Sequence, residues 1–185
     1  MYFDSTGPAN TGETVAIAVR EAKERKVSHI IIASNTGKTA EALAAEARKA
    51  GYDGRIICVS HVNGFRENGV NELSDENRQR LVEQGVQVYT GSHVLSGAER
   101  AISRTFHGAY PVEIIAHSLR MLGSGVKVAV EISVMALDGG LIPHGKPVIG
   151  IGGTGGGADT AALLTPGHAS AIFETRIHEI LCKPR

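Results

Sequence analysis

Residues 29–41 read HIIIASNTGKTAE, an unbroken β-branched apolar run, a short polar turn and the opening of an alanine-rich segment. Such a run buries both of its faces, as a strand inside a parallel sheet does; a half-exposed strand would alternate apolar with polar residues. The stretch KTAEALAAEARKAG has high helix propensity and closes on Gly51, a residue suited to a helix C-terminus. Strand, turn and helix in that order predict an α/β unit with its polar turn at the strand's carboxyl end.

The triplet Gly37–Lys38–Thr39 matches the tail of a Walker A loop. The glycine that should open G-x-x-x-x-G-K falls at Ile32, inside the strand, and no Walker B candidate is evident, which argues against nucleotide hydrolysis. The setting still favours an anion, because a helix N-terminus offers unpaired N–H groups and the positive end of its dipole. Ser34, Asn35, Thr36 and Thr39 add short donors, Gly37 permits close approach and Lys38 adds charge, so a phosphate monoester fits. The plainer alternative is a turn capped by Ser34 or Thr36 with Lys38 in solvent.

The same unit recurs on either side. Asn10 and Glu13 stand at capping-box spacing before a helix from about Thr11 to Arg25. GRIICVSH predicts a second buried strand, SDENRQRLVEQG a capped helix closed by Gly85, and VQVYTGS a third strand. Pro111 suits the first turn of a helix, PVEIIAHSLRMLG, ended by Gly123. VKVAVEISVMALDGG is valine-rich, yet the spacing of Val126, Val130, Val134 and Leu137 predicts a helix. KPVIGIGG is a further strand, ADTAALLTP a short strand or helix, and FETRIHEILCKP a closing element. A chain of 185 residues supports one core, so the expectation is a single domain over residues 1–185. Its fold class is α/β: a three-layer α/β/α sandwich on a mainly parallel sheet.

Nineteen basic residues balance nineteen acidic ones, which gives no overall field for nucleic acid or an anionic membrane. No apolar stretch is long enough to span a bilayer. Two cysteines cannot build a disulfide framework, and Cys58, within RIICVS, reads as a small hydrophobe; a reducing cytoplasm is the expected setting. Apolar surface on residues 126–137 suggests a homodimer.

Other constellations gather at strand ends, where ligands of open α/β sheets bind. VSHVNGFRENG follows the second strand, and its His61, Asn63, Phe65 and Arg66 suit a loop that covers a planar ligand or handles protons. An ordinary surface loop with Phe65 tucked inward is the alternative. YTGSHVLSGAERAISRTFHG is long for a simple connection and brings Thr90, Gly91, Ser92 and His93 to the same predicted edge. His61, His93 and His107 lack metal-ligand spacing, so no metal is expected. GIGGTGGGADT holds G-x-G-x-x-G too late in the chain to open a dinucleotide fold; Gly153, Thr154, Gly155 and Gly156 read as another strand-end loop, with Asp159 capping the next element or bonding a ligand hydroxyl. Among the helical carboxylates, only Glu131 has enough apolar company to hint at a buried partner.

GFRENG, GVQVYTGSHVLSG, PVEIIAHSLRM, VEISVMALDGGLIP, IGGTGGGADTA and RIHEI run over nearly the whole chain. With these motifs in this order the sequence resembles the C-terminal domain of pyruvate kinase, in the form of a small, uncharacterised, largely archaeal family of free-standing proteins. In pyruvate kinase the corresponding Ser/Thr/Gly loop binds a phosphate of an allosteric sugar bisphosphate, and the resemblance places that role on Ser34–Thr39. The barrel that carries the kinase chemistry has no counterpart in these residues, so the resemblance argues against that activity. The stand-alone family is similar to proteins that bind flavin mononucleotide (FMN). This implies an FMN phosphate on the Ser34 loop, an isoalloxazine reaching the loops at His61, Gly91 and Gly153, and His61 or His93 as proton donor of a flavin-dependent oxidoreductase. The competing expectations are a sugar-phosphate sensor without catalysis and an interaction domain without a ligand.

Overall fold

The computed structural model describes residues 1–185. In chain order the elements are β1 Tyr2–Phe3, α1 Thr11–Glu24, β2 His29–Ala33, α2 Lys38–Ala50, β3 Arg55–Ser60, α3 Asp75–Glu83 and β4 Val86–Thr90. After these come α4 Glu99–Phe106, α5 Pro111–Arg120, α6 Ser124–Asp138, β5 Val148–Gly152, β6 Thr160–Thr165 and β7 Arg176–Pro184. The sheet order is β1-β7-β6-β5-β2-β3-β4.

Strand β2 sits between β3 and β5, parallel to both, and β4 continues the parallel set beyond β3. Successive side chains feed opposite cores. Ile30 and Ile32 pack with α1 and α2, whereas Ile31 packs with α6; β3 divides in the same way, Ile56 and Cys58 to one side and Ile57 and Val59 to the other. Two faces each covered by helices make the three layers that the apolar runs predict. Both cysteines are buried and free, and burial pushes the Cys58 thiol up to about 12, as befits a packing residue.

The sheet is mixed. β6 runs antiparallel to β5 and β7, which resolves ADTAALLTP as a strand and gives one margin of the sheet a hairpin character. The expected capping box at Asn10 does not form: its amide donates to Ser5 O at 2.7 Å and caps nothing. The apolar surface ascribed to residues 126–137 is also corrected. Helix α6 buries Val126, Ala129, Val130 and Ile132 through Leu137 inside the chain, so it offers no free face to a second copy. Exposed apolar side chains cluster instead on α4, α5 and the turn after them, with Ile102, Phe106, Ile114 and Met121, while others such as Val82 and Phe173 stand elsewhere on the surface.

Helix α6 reaches the sheet through glycine. A Cβ on Gly152 would stand 2.2 Å from Gly125 O, and one on Gly150 would stand 2.8 Å from Ala129 O. Backbone cannot yield as a flexible side chain can. Gly152→Ala should therefore lift the start of α6 and cost about 1–3 kcal/mol, the usual penalty of overpacking, read from the urea midpoint.

Candidate functional site

Parallel strands β2, β3, β4 and β5 present their carboxyl ends at one edge, and the loops that leave them enclose a cavity of about 820 Å³. That volume suits a small-molecule ligand. The chain runs from β2 through α2 to β3 on one side, while β5 returns to the other side of β2, so the cavity lies at a switch point of the sheet.

The β2–α2 turn supplies one wall. Its helix begins at Gly37, which has φ 95°, and no side chain caps the first turn. Helix α3 differs, for Ser74 accepts from Asn77 N at 3.2 Å. The turn is held from outside: the Thr39 hydroxyl donates to Ala33 O at 3.0 Å and the Asn77 amide donates to Thr36 O at 2.8 Å. Ser34, Asn35, Thr36, Lys38 and Thr39 line the cavity. Lys38 makes no ion pair. An uncapped helix start beside a free ammonium is a ready anion site.

A second wall is aromatic and proton-bearing. The rings of His61 and Phe65 lie 3.8 Å apart between centroids, with His93 5.4 Å from His61 and 5.3 Å from Phe65. His61 Nδ1 donates to Glu72 Oε2 at 2.5 Å, and Arg66 pairs with the other carboxylate oxygen at 3.0 Å. This bond orients the ring and leaves Nε2 without a protein partner. Val62 N–H donates to His93 Nε2 at 3.4 Å, and burial holds the His93 pKa below its ordinary value against the pull of Glu131.

The third wall comes from helices. Arg100 of α4, Arg120 of α5 and Lys127 and Glu131 of α6 all line the cavity. Lys127 and Glu131 are 4% and 5% exposed and form an ion pair one turn apart. Glu131 also accepts from Leu95 N at 2.9 Å, tying the β4–α4 connection to α6. Burial lowers the Lys127 pKa, Arg120 and Arg100 push it the same way, and Glu131 opposes them. Arg100 and Arg120 are half-buried and have no carboxylate partner. Three cations against one carboxylate leave this wall positive.

Opposite them, Gly155, Gly156 and Gly157 take φ of 65°, 110° and 78°, a backbone path that only glycine follows in succession without strain. This turn packs on the start of α1, where Thr11 Oγ1 accepts from Ala158 N at 3.0 Å.

The model of the pyruvate kinase α/β domain matches residues 13–164, most of the chain. The chain belongs to that family. Two solved structures similar to this pyruvate kinase α/β domain are of Cryptosporidium parvum pyruvate kinase. One is 17% identical, with TM-score 0.38 over 76% of this chain and 20% of the enzyme. The other, described as in complex with ADP, is 16% identical, with TM-score 0.40 over 90% of this chain and 23% of the enzyme. The chain thus spans about a fifth of the length of these enzymes.

Of the residues singled out in the sequence, the domain brings Ser34, Asn35, Thr36, Lys38, Thr39, His61, Phe65, Arg66, His93, Glu131, Gly153, Gly155 and Gly156 to the cavity wall. Gly37 shapes the turn but faces Leu73 and Leu81. Asn63, Gly91 and Thr154 do not line the cavity, and Ser92 lines a smaller neighbouring pocket with His93, Arg100 and Arg104. Asp159 is fully buried and committed to structure, accepting from Gly7 N at 3.0 Å and from the Thr160 hydroxyl at 2.8 Å. Glu72, Arg100, Arg120 and Lys127 escaped the sequence reading. The i,i+4 pairing of Lys127 with Glu131 in an otherwise apolar helix was the available signal.

Glu131→Gln leaves Lys127 buried beside two guanidiniums without its counterion and should destabilise the domain by about 3–5 kcal/mol in urea unfolding. Joining Lys127→Met to Glu131→Leu should recover a large part of that loss. His29 is buried and His93 half-buried, and desolvation lowers the pKa of each. Below pH about 6.5 the unfolded chain binds protons that these sites refuse, so stability should fall as pH drops through that value, and His93→Gln should flatten the fall.

Proposed function

We propose that this domain binds a phosphorylated small molecule, with the phosphate at the N-terminus of α2 and the remainder lying across the cavity, and that the ligand is FMN. The uncapped first turn of α2 beside an unpaired Lys38, opening into a cavity of about 820 Å³, carries the reading. The other walls suit a flavin. Phe65, His61 and His93 offer flat surfaces for a ring system, and Arg100, Arg120 and Lys127 offer positive charge to its electron-rich end. Bound flavin would supply hydride or single-electron transfer, which makes an oxidoreductase the corresponding activity. The chain's own part is to orient the ring and to hold a proton near it. His61, fixed by Glu72, is the group with a free ring nitrogen for that task.

A second reading is favoured by Arg100 and Arg120, two guanidiniums with no protein partner. They suit a ligand with a second anionic group, as in a sugar bisphosphate, and a domain that senses it without turnover. The absorbance spectrum of freshly purified protein, with any released chromophore identified after denaturation, separates the two. Stoichiometric flavin supports the first reading; colourless protein that fails to bind added FMN overturns it and favours the second, to be pursued by thermal shift with sugar phosphates. In either case Lys38→Ala should weaken the bound phosphorylated ligand by about tenfold or more, equivalent to about 1.4 kcal/mol. Unchanged affinity would remove the phosphate from the start of α2.

A further inference from the structure

Lys127 serves above only as a positive charge, yet its setting is unusual for that purpose. A cation meant to attract an anion is best left free, as Lys38 is, whereas Lys127 already holds a carboxylate and is almost stripped of water. Lys127 lines the same cavity as the α2 anion site, and Lys38 and Lys127 are the two lysines of its wall. A buried primary amine in contact with a proton acceptor, inside a cavity that can hold a phosphate, has what carbonyl capture needs. We infer that Lys127 forms a reversible imine with a phosphorylated aldehyde. This rests on the phosphate reading of the α2 turn.

The step balances within the residues present. Glu131 takes a proton from the Lys127 ammonium, and the freed nitrogen lone pair forms a C–N bond to the aldehyde carbon as the C=O π bond opens. The carbonyl oxygen takes the proton back from Glu131, giving a carbinolamine. The nitrogen lone pair then expels the hydroxyl, which leaves as water once a proton has passed from the amine nitrogen to the departing oxygen. Ammonium and aldehyde have become protonated imine and water, and nothing is oxidised or reduced. Positive charge stays on the nitrogen, so Glu131 keeps its counterion and its bond from Leu95 N is not disturbed. Burial and the two guanidiniums, which favour the uncharged amine, assist the first proton transfer. Arg100 and Arg120 would not compete, because a guanidinium remains protonated.

The experiment incubates the full chain with glycolaldehyde phosphate and sodium borohydride, then maps modified lysines by peptide mass spectrometry. Reduction should fix the ligand on Lys127 in roughly tenfold excess over any surface lysine, because the phosphate raises the local aldehyde concentration. Inorganic phosphate should suppress this labelling. Lys127→Arg, which keeps the charge but lacks the primary amine, should remove the adduct and leave the thermal midpoint close to wild type. Labelling spread evenly over surface lysines, while glycolaldehyde phosphate still stabilises the protein in thermal shift, would overturn the capture and spare the phosphate site. Equal labelling of Lys127 by unphosphorylated glycolaldehyde would uphold the capture and overturn the phosphate reading beneath it.

Discussion

Strand β2 has no solvent side. Ile30, Ile31 and Ile32 are fully buried and point alternately to opposite faces, so the sheet at this point must be roofed twice. Helices α1 and α2 provide one roof and α6 the other. With both faces covered and neighbours on both edges, the strand's carboxyl end is where a ligand can approach the sheet. The cavity is a consequence of that enclosure. Its polar walls are what remains after two apolar cores have been satisfied.

The second roof lies unusually close. Helix α6 meets β5 through Gly125, Gly150 and Gly152, where each missing Cβ admits neighbouring atoms at distances a side chain would forbid. Close seating brings the first turns of α6 beside the strand ends, and with them Lys127 and Glu131. Packing and the charge of the cavity wall are therefore joined here. The buried pair costs desolvation, yet the same contact anchors the connection that carries His93.

Much of the architecture was legible because burial leaves a plain record. A strand covered on both faces becomes an apolar run, and helices near it end at glycines such as Gly51, with φ 65°. The antiparallel β6 was less visible, although a signal existed: the seven residues between Gly152 and Thr160 are too few for the crossover that a parallel partner requires. The Ser34 turn could be read because its donors are contiguous. The cationic wall could not, since Arg100, Arg120 and Lys127 come from three helices and meet only through tertiary packing. Asp159 misled for a related reason. A short-range pattern suggested a cap or a ligand contact, but one oxygen is held by the adjacent Thr160 hydroxyl and the other by Gly7 N, far away in sequence.

One carboxylate joins the cavity to the outer surface. Glu131 is counterion to Lys127 through one oxygen and acceptor for Leu95 N through the other. The α6 wall of the cavity and the segment leading into α4 are thus fixed to one buried side chain. That helix carries Ile102 and Phe106 on the outer surface. A single carboxylate therefore ties the inner wall of the cavity to the root of an apolar patch on the outside, so neither can be repacked without the other.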